Sequence, residues 1–124
     1  MPSASVAMPA YAVEFATAVE RDFELIFDFL EESYRGFGES VEDAVVRAAA
    51  RVEAIHATAA KLGTTPYRGT RHPEMMPNLR HVTIDQAIYW FLVDENALTV
   101  RVLAIFFGGQ DHVRRMLSRL LQQP

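Results

Sequence analysis

The chain contains no cysteine, and its longest apolar runs stop well short of the roughly 18 residues that a membrane-spanning helix requires. The first absence excludes disulfides and thiolate metal centres and fits a reducing cytoplasm. The second predicts a soluble protein with no membrane partner. Met1 to Ala10 lacks the basic and sustained apolar regions of a secretory signal. Residues 1–10 are therefore read as a flexible N-terminal extension and residues 11–124 as one domain in the cytoplasm. Internal repeats and low-complexity tracts are also missing. The four histidines show neither i, i+4 spacing nor carboxylate pairing, so neither a metal nor any other cofactor is expected.

What is present is the composition of a folded domain. Of 124 residues, 50% are apolar and 23% charged, enough to build a core and too few charges for a disordered tail. The net charge of −4 is unevenly spread. Residues 1–60 hold eleven Asp and Glu against four Arg, whereas residues 61–124 hold five against eight Lys and Arg. An acidic half and a mildly basic half suit two faces with different partners, or solvated helices beside a sheet.

Local patterns divide the chain further. Tyr11 to Phe15 alternates weakly, as a short strand does, and Thr17-Ala18-Val19-Glu20 matches a capping box that predicts a helix start. Val19, Phe23, Ile26, Phe27, Leu30, Tyr34 and Phe37 recur at steps of three and four, with Arg21, Asp22 and Glu24 among the residues assigned to other faces. Ser40 with Asp43 marks a second N-cap, followed by a stripe of Val41, Val45, Ala48, Val52, Ile55, Ala59 and Leu62. Gly63 is read as a left-handed stop. The short connection between the two helices predicts an antiparallel hairpin.

Prolines 66, 73 and 77 make Thr64 to Asn78 a loop. Strands are expected over Leu79–Ile84, Ala87–Val93 and Leu98–Phe107, separated by turns at Asp85-Gln86 and Asp94-Glu95-Asn96 and ended by Gly108-Gly109. From Asp111, Val113, Met116, Leu117, Leu120 and Leu121 fall at helical spacing, with Arg114, Arg115 and Arg119 assigned to the other side. The expected class is α+β: a helical hairpin packed on a small, mainly antiparallel sheet in the order β-α-α-β-β-β, with a short C-terminal helix.

This order resembles the RelE/ParE superfamily of toxins from toxin–antitoxin pairs. Ala18, Arg21-Asp22-Phe23, Ile26 and Phe27-Asp28-Phe29-Leu30 are similar to the family's first helix, and Leu62-Gly63 to Gly69 with Pro77-Asn78-Leu79-Arg80 to its loop. Ala87 to Asp94 resembles its central strand, and Val100 to Gly109 the strand ending in a glycine corner. The resemblance implies a small antitoxin as partner. It implies one of two activities: RelE-like members cleave messenger RNA on the ribosome, whereas ParE-like members inhibit DNA gyrase. A third possibility is a module of the same fold that only pairs with an antitoxin.

Cleaving a phosphodiester needs a base, an acid and cations around the phosphorane. RelE-like toxins place basic residues on the central strands and an Arg at the corner. Here those places hold Ile88, Trp90 and Gly108-Gly109-Gln110. An acidic chain also binds nucleic acid poorly, because phosphate affinity rests on Lys and Arg. Both points favour the ParE-like reading, in which the residues expected at a target or antitoxin contact are Arg68, Arg71, Arg80, Arg101, Arg114, Arg115 and Arg119. Under the nuclease reading His72, Arg80 and His81 carry the chemistry; the competing view makes them surface residues. His56 is read as structural and His112 as unremarkable. The aromatics Tyr89, Trp90, Phe91, Phe106 and Phe107 are read as core rather than as a base-stacking platform.

Overall fold

Two helices form the hairpin, α1 (Ala18–Gly36) and α2 (Val41–Ala60). They start by different means. Ser40 is extended, and its Oγ accepts from the Asp43 backbone N–H at 3.1 Å. Thr17, by contrast, already has helical dihedrals (φ −54°, ψ −38°) and its side chain caps nothing, so the expected capping box does not form. The chain turns into α1 directly from Ala16, whose carbonyl accepts from Val19 N–H at 3.0 Å. A cap residue that is itself helical cannot aim its hydroxyl back at the first turn.

The computed structural model describes residues 10–109 and 111–122. The extension expected at the N-terminus therefore lies, apart from Ala10, outside the described residues, as does Gln110 of the predicted corner. Five strands follow the sequence pattern, with one addition: β1 (Ala12–Phe15), β2 (Thr70–Arg71), β3 (Leu79–Ile84), β4 (Ala87–Asp94) and β5 (Thr99–Phe107). The two-residue β2 arises inside the predicted loop. Their order is β1-β5-β4-β3-β2, with β1 parallel to β5 and the other pairs antiparallel. Asp85 and Gln86 both take positive φ (49° and 72°), the backbone of a tight hairpin turn between β3 and β4. Helix α3 (His112–Gln122) closes the chain.

Gly63 is not a left-handed stop. It sits in a 3-10 turn (Lys61–Thr64) without positive φ, and a Cβ there would collide with the Tyr11 carbonyl oxygen. Its carbonyl accepts from Tyr11 N–H at 2.9 Å. Glycine is needed because β1 passes so close.

Alternation gives the sheet two covered faces. Tyr89 belongs to the hairpin side, its phenol donating to the Ile55 carbonyl of α2 at 3.4 Å. Ile88 and Trp90 point the other way, toward α3, whose Met116 is fully buried. Trp90, Tyr89 and Phe91 are buried core residues, as expected. The hairpin stripe departs from expectation at its tip. Phe37, Val41 and Val45 are exposed, since they lie beyond Tyr34 and Arg47, which border the end of the sheet at Gln86 and Phe107. Ala44, Ala48, Ile55 and Ala59 are the buried residues of α2.

Candidate functional site

The outer face of the sheet gathers three histidines around one tryptophan. His81 on β3 stands opposite Trp90 on β4 in the ladder. His72 follows β2, and its backbone N–H is fixed by the Leu79 carbonyl at 2.8 Å. His112 opens α3. Ring centroids of His72, His81 and His112 lie 4.6, 4.9 and 5.6 Å from that of Trp90. His72 Nε2 and His81 Nδ1 are 2.6 Å apart, so one ring donates and the other accepts. His112 meets His81 edge-on at 4.7 Å. Trp90 Nε1 and His112 Nδ1 are buried without a hydrogen-bond partner among the described residues.

Burial favours the neutral forms of His81 and His112. Burial, followed by the proximity of His112 and His72, lowers His81 from 6.5 to about 4. Burial, His72 and Arg115 likewise lower His112. Glu74 lies 3.7 Å from His72 Nδ1 on the rim. Among the described residues no group of three or more His, Cys, Asp or Glu side chains is arranged to hold a metal ion.

Sequence reasoning missed this assembly because its members come from a loop, a strand and a helix N-terminus. It grouped His72, His81 and Arg80, and the structure brings only the two histidines together. Adjacent residues on a strand face opposite ways, and Arg80 lies on the hairpin side, donating to the Tyr67 carbonyl at 2.8 Å with its guanidinium 5.4 Å from that ring. The three nuclease candidates are thus split between two faces.

The remaining arginines occupy four places. Arg71 stands directly opposite Arg80 in the β2–β3 pair, and both line a cleft of about 330 Å³ with Tyr67, Pro73, Asn78 and Glu95. Arg68, exposed, borders a neighbouring cleft of about 480 Å³ beside Tyr11 and Tyr67, whose phenols are 2.9 Å apart. That hydrogen bond, burial and nearby Glu95 raise the Tyr67 phenol above its ordinary value. Arg101 lies 3.6 Å from Glu14 across the β1–β5 pair. On α3, Arg114 is exposed and Arg115 sits 4.3 Å over the Phe106 ring.

Arg119 does not lie with Arg114 on a solvated face. It makes two bonds of 2.7 Å to the Asp22 carboxylate and one of 3.2 Å to the Leu103 carbonyl, and Asp22 also accepts from Ile105 N–H at 3.0 Å. The reason is the shortness of β1. It pairs with β5 only as far as Val102, leaving the next backbone groups of β5 without a strand, and Asp22 and Arg119 satisfy them. Turning Arg119 inward leaves Val113, Leu117 and Leu121 exposed. Asp22, assigned to a polar face, is 3% exposed.

No protein-family model matches the sequence, and no curated protein matches it either. Solved structures do match. The chromosomal ParDE toxin–antitoxin system from P. aeruginosa superposes with a TM-score of 0.59 at 17% identity, over 81% of this chain and 98% of that one. The RelBE2 toxin–antitoxin complex from Mycobacterium tuberculosis gives 0.55 at 16%, over 81% and 93%. A mutant of the E. coli toxin RelE in the free state gives 0.56 at 11%, over 92% and 97%. The chain has the RelE/ParE toxin fold.

Proposed function

We propose that this protein is the toxin of a type II toxin–antitoxin pair, that it acts in the cytoplasm by binding DNA gyrase, and that a cognate antitoxin neutralises it. Carriage of the fold by the ParDE and RelBE2 systems supports the toxin assignment. The choice of a binding mechanism rests on one observation. The outer face presents imidazoles stacked on Trp90 with no arginine from the β2–β3 pair beside them, because Arg71 and Arg80 lie on the opposite side. A phosphorane there draws no cation from the β2–β3 pair, and Arg115, near enough to lower His112, sits over the Phe106 ring.

The test is a supercoiling assay with purified gyrase, run beside a ribosome-dependent cleavage assay. Inhibition of supercoiling without message cleavage is the expected result. Undisturbed supercoiling across a wide concentration range overturns the gyrase reading. The 2.6 Å contact between His72 and His81 favours a second reading, a ribonuclease in which this pair transfers protons. Cleavage of ribosome-bound message that disappears in His81→Ala supports that alternative.

A further inference from the structure

We propose that the cleft between Arg71 and Arg80 is an oxyanion site that takes carboxylate side chains from an acidic peptide segment. The two arginines are direct cross-strand partners, so both side chains leave the same face of the sheet. Like charges in that position weaken a strand pair, and β2 has only two residues with which to hold it. Among the described residues, neither guanidinium has a carboxylate within ion-pairing distance, although Arg21, Arg35, Arg47, Arg101 and Arg119 all have one. Arg80 is held by the Tyr67 carbonyl, and Arg71 donates to no group among them. An incoming carboxylate between them supplies the missing counter-charge and accepts the free N–H groups.

The walls identify the ligand further. Pro73, Pro77, Leu79 and Val93 give the cleft rigid apolar sides, and Asn78, held at positive φ (67°), lines it as well. About 330 Å³ admits one or two side chains. Glu95 lines the cleft too, and its charge opposes a dense polyanion more than an isolated carboxylate. The net charge of −4 opposes every anion, and a closely spaced phosphate backbone more than a peptide with few carboxylates. The inference is independent of the gyrase reading, since it concerns what this cleft binds and not what the protein inhibits.

The probe is a fluorescein-labelled peptide whose Asp and Glu residues are separated by Ser and Ala, titrated against the full chain by fluorescence anisotropy, with a single-stranded RNA of equal charge in parallel. The expected result is peptide binding that Arg71→Gln weakens at least tenfold, that Arg21→Gln, at an exposed arginine of α1, leaves within twofold, and that shifts the Tyr67 ring resonances. Because the Arg71 side chain makes no hydrogen bond among the described residues, its variant is expected to retain the native circular dichroism. Equal binding by the wild type and Arg71→Gln overturns the proposal, as does the absence of peptide binding to the folded wild type. Tighter binding of the RNA, lost in the same variant, overturns it in favour of a nucleic-acid site. Peptide binding in a protein that leaves gyrase untouched removes the target reading alone.

Discussion

Charge is used in opposite ways at the two ends of the sheet order. Beside β5, Asp22 and Arg119 match each other, satisfy exposed backbone groups and are mostly withdrawn from water. Beside β3, Arg71 and Arg80 oppose each other across a two-residue strand, at the border of a cleft. The first arrangement completes the fold where β1 falls short. The second weakens the fold locally and leaves both guanidiniums without a carboxylate among the described residues. A folded chain tolerates such a mismatch at modest cost, so the contrast separates arginines that hold the protein together from arginines available to a partner.

Breaking the matched end has the largest expected effect. Arg119→Ala strands a buried carboxylate and is expected to cost about 3 kcal/mol or more in chemical denaturation. Asp22→Ala removes the acceptor of both Ile105 N–H and Arg119, and should cost a similar amount. The double variant should lose clearly less than the sum, since the two residues act as one unit. Additive losses would mean that the pair does little to fasten α3. Next in size is Gly69→Ala at the mismatched end. Gly69 has φ of 90°, and a Cβ there would collide with the His81 carbonyl oxygen. The variant is expected to lose about 1–3 kcal/mol and to free β2, carrying Arg71 away from Arg80. Unchanged thermal stability in Gly69→Ala would show that β2 is not held by this contact.

These two ends were unequally legible in the sequence. The helical hairpin, the three long strands and the turn at Asp85-Gln86 follow from periodicity and turn chemistry, because each signal is local. The α3 stripe was visible as well, but its orientation was not. Val113 and Leu117 suggested an inward face, whereas the unpaired edge of β5 turns Arg119 inward, and that edge depends on where β1 stops. Asp22 offered the same local signal as any acidic residue on an amphipathic helix. β2 escaped detection because two residues between prolines carry no pattern, and without it the pairing of Arg71 with Arg80 has no basis. The histidine cluster is a long-range product of the same kind. A useful clue was present in Arg80-His81: neighbouring strand residues face opposite ways, which divides the three nuclease candidates between the two faces of the sheet.

A smaller effect is expected from the cluster that lies between the two ends. His81 titrates near 4 in the folded state, below the ordinary 6.5. The unfolded chain therefore takes up the proton first as pH falls. Neutral His81 contributes fully above about 6.5, and stability declines from there toward about 4. Melting temperature should fall by about 5 °C over that window beyond the loss common to all variants, once the full linkage value is reduced for the partial exposure of His81. His81→Phe keeps an aromatic ring against Trp90 and should flatten this part of the profile. A wild-type profile with the same slope as His81→Phe would show that His81 is not neutral in the fold.

The smallest effect has the most diagnostic sign. Most substitutions destabilise, yet Arg71→Gln should raise the melting temperature by about 1 °C at low salt, because it removes a like charge from a direct cross-strand pair and breaks no hydrogen bond among the described residues. The gain should vanish as salt screens exposed charge, with a Debye length of about 3 Å at 1 M. Arg101→Gln is the natural control. It removes an exposed arginine that does face a carboxylate, Glu14, and should lower stability slightly under the same conditions and lose that effect in salt. Opposite signs at low salt that converge at high salt would distinguish mismatched from matched charge within one sheet. Equal signs would mean that Arg71 has found a partner in solution, and the contrast between the two ends would collapse.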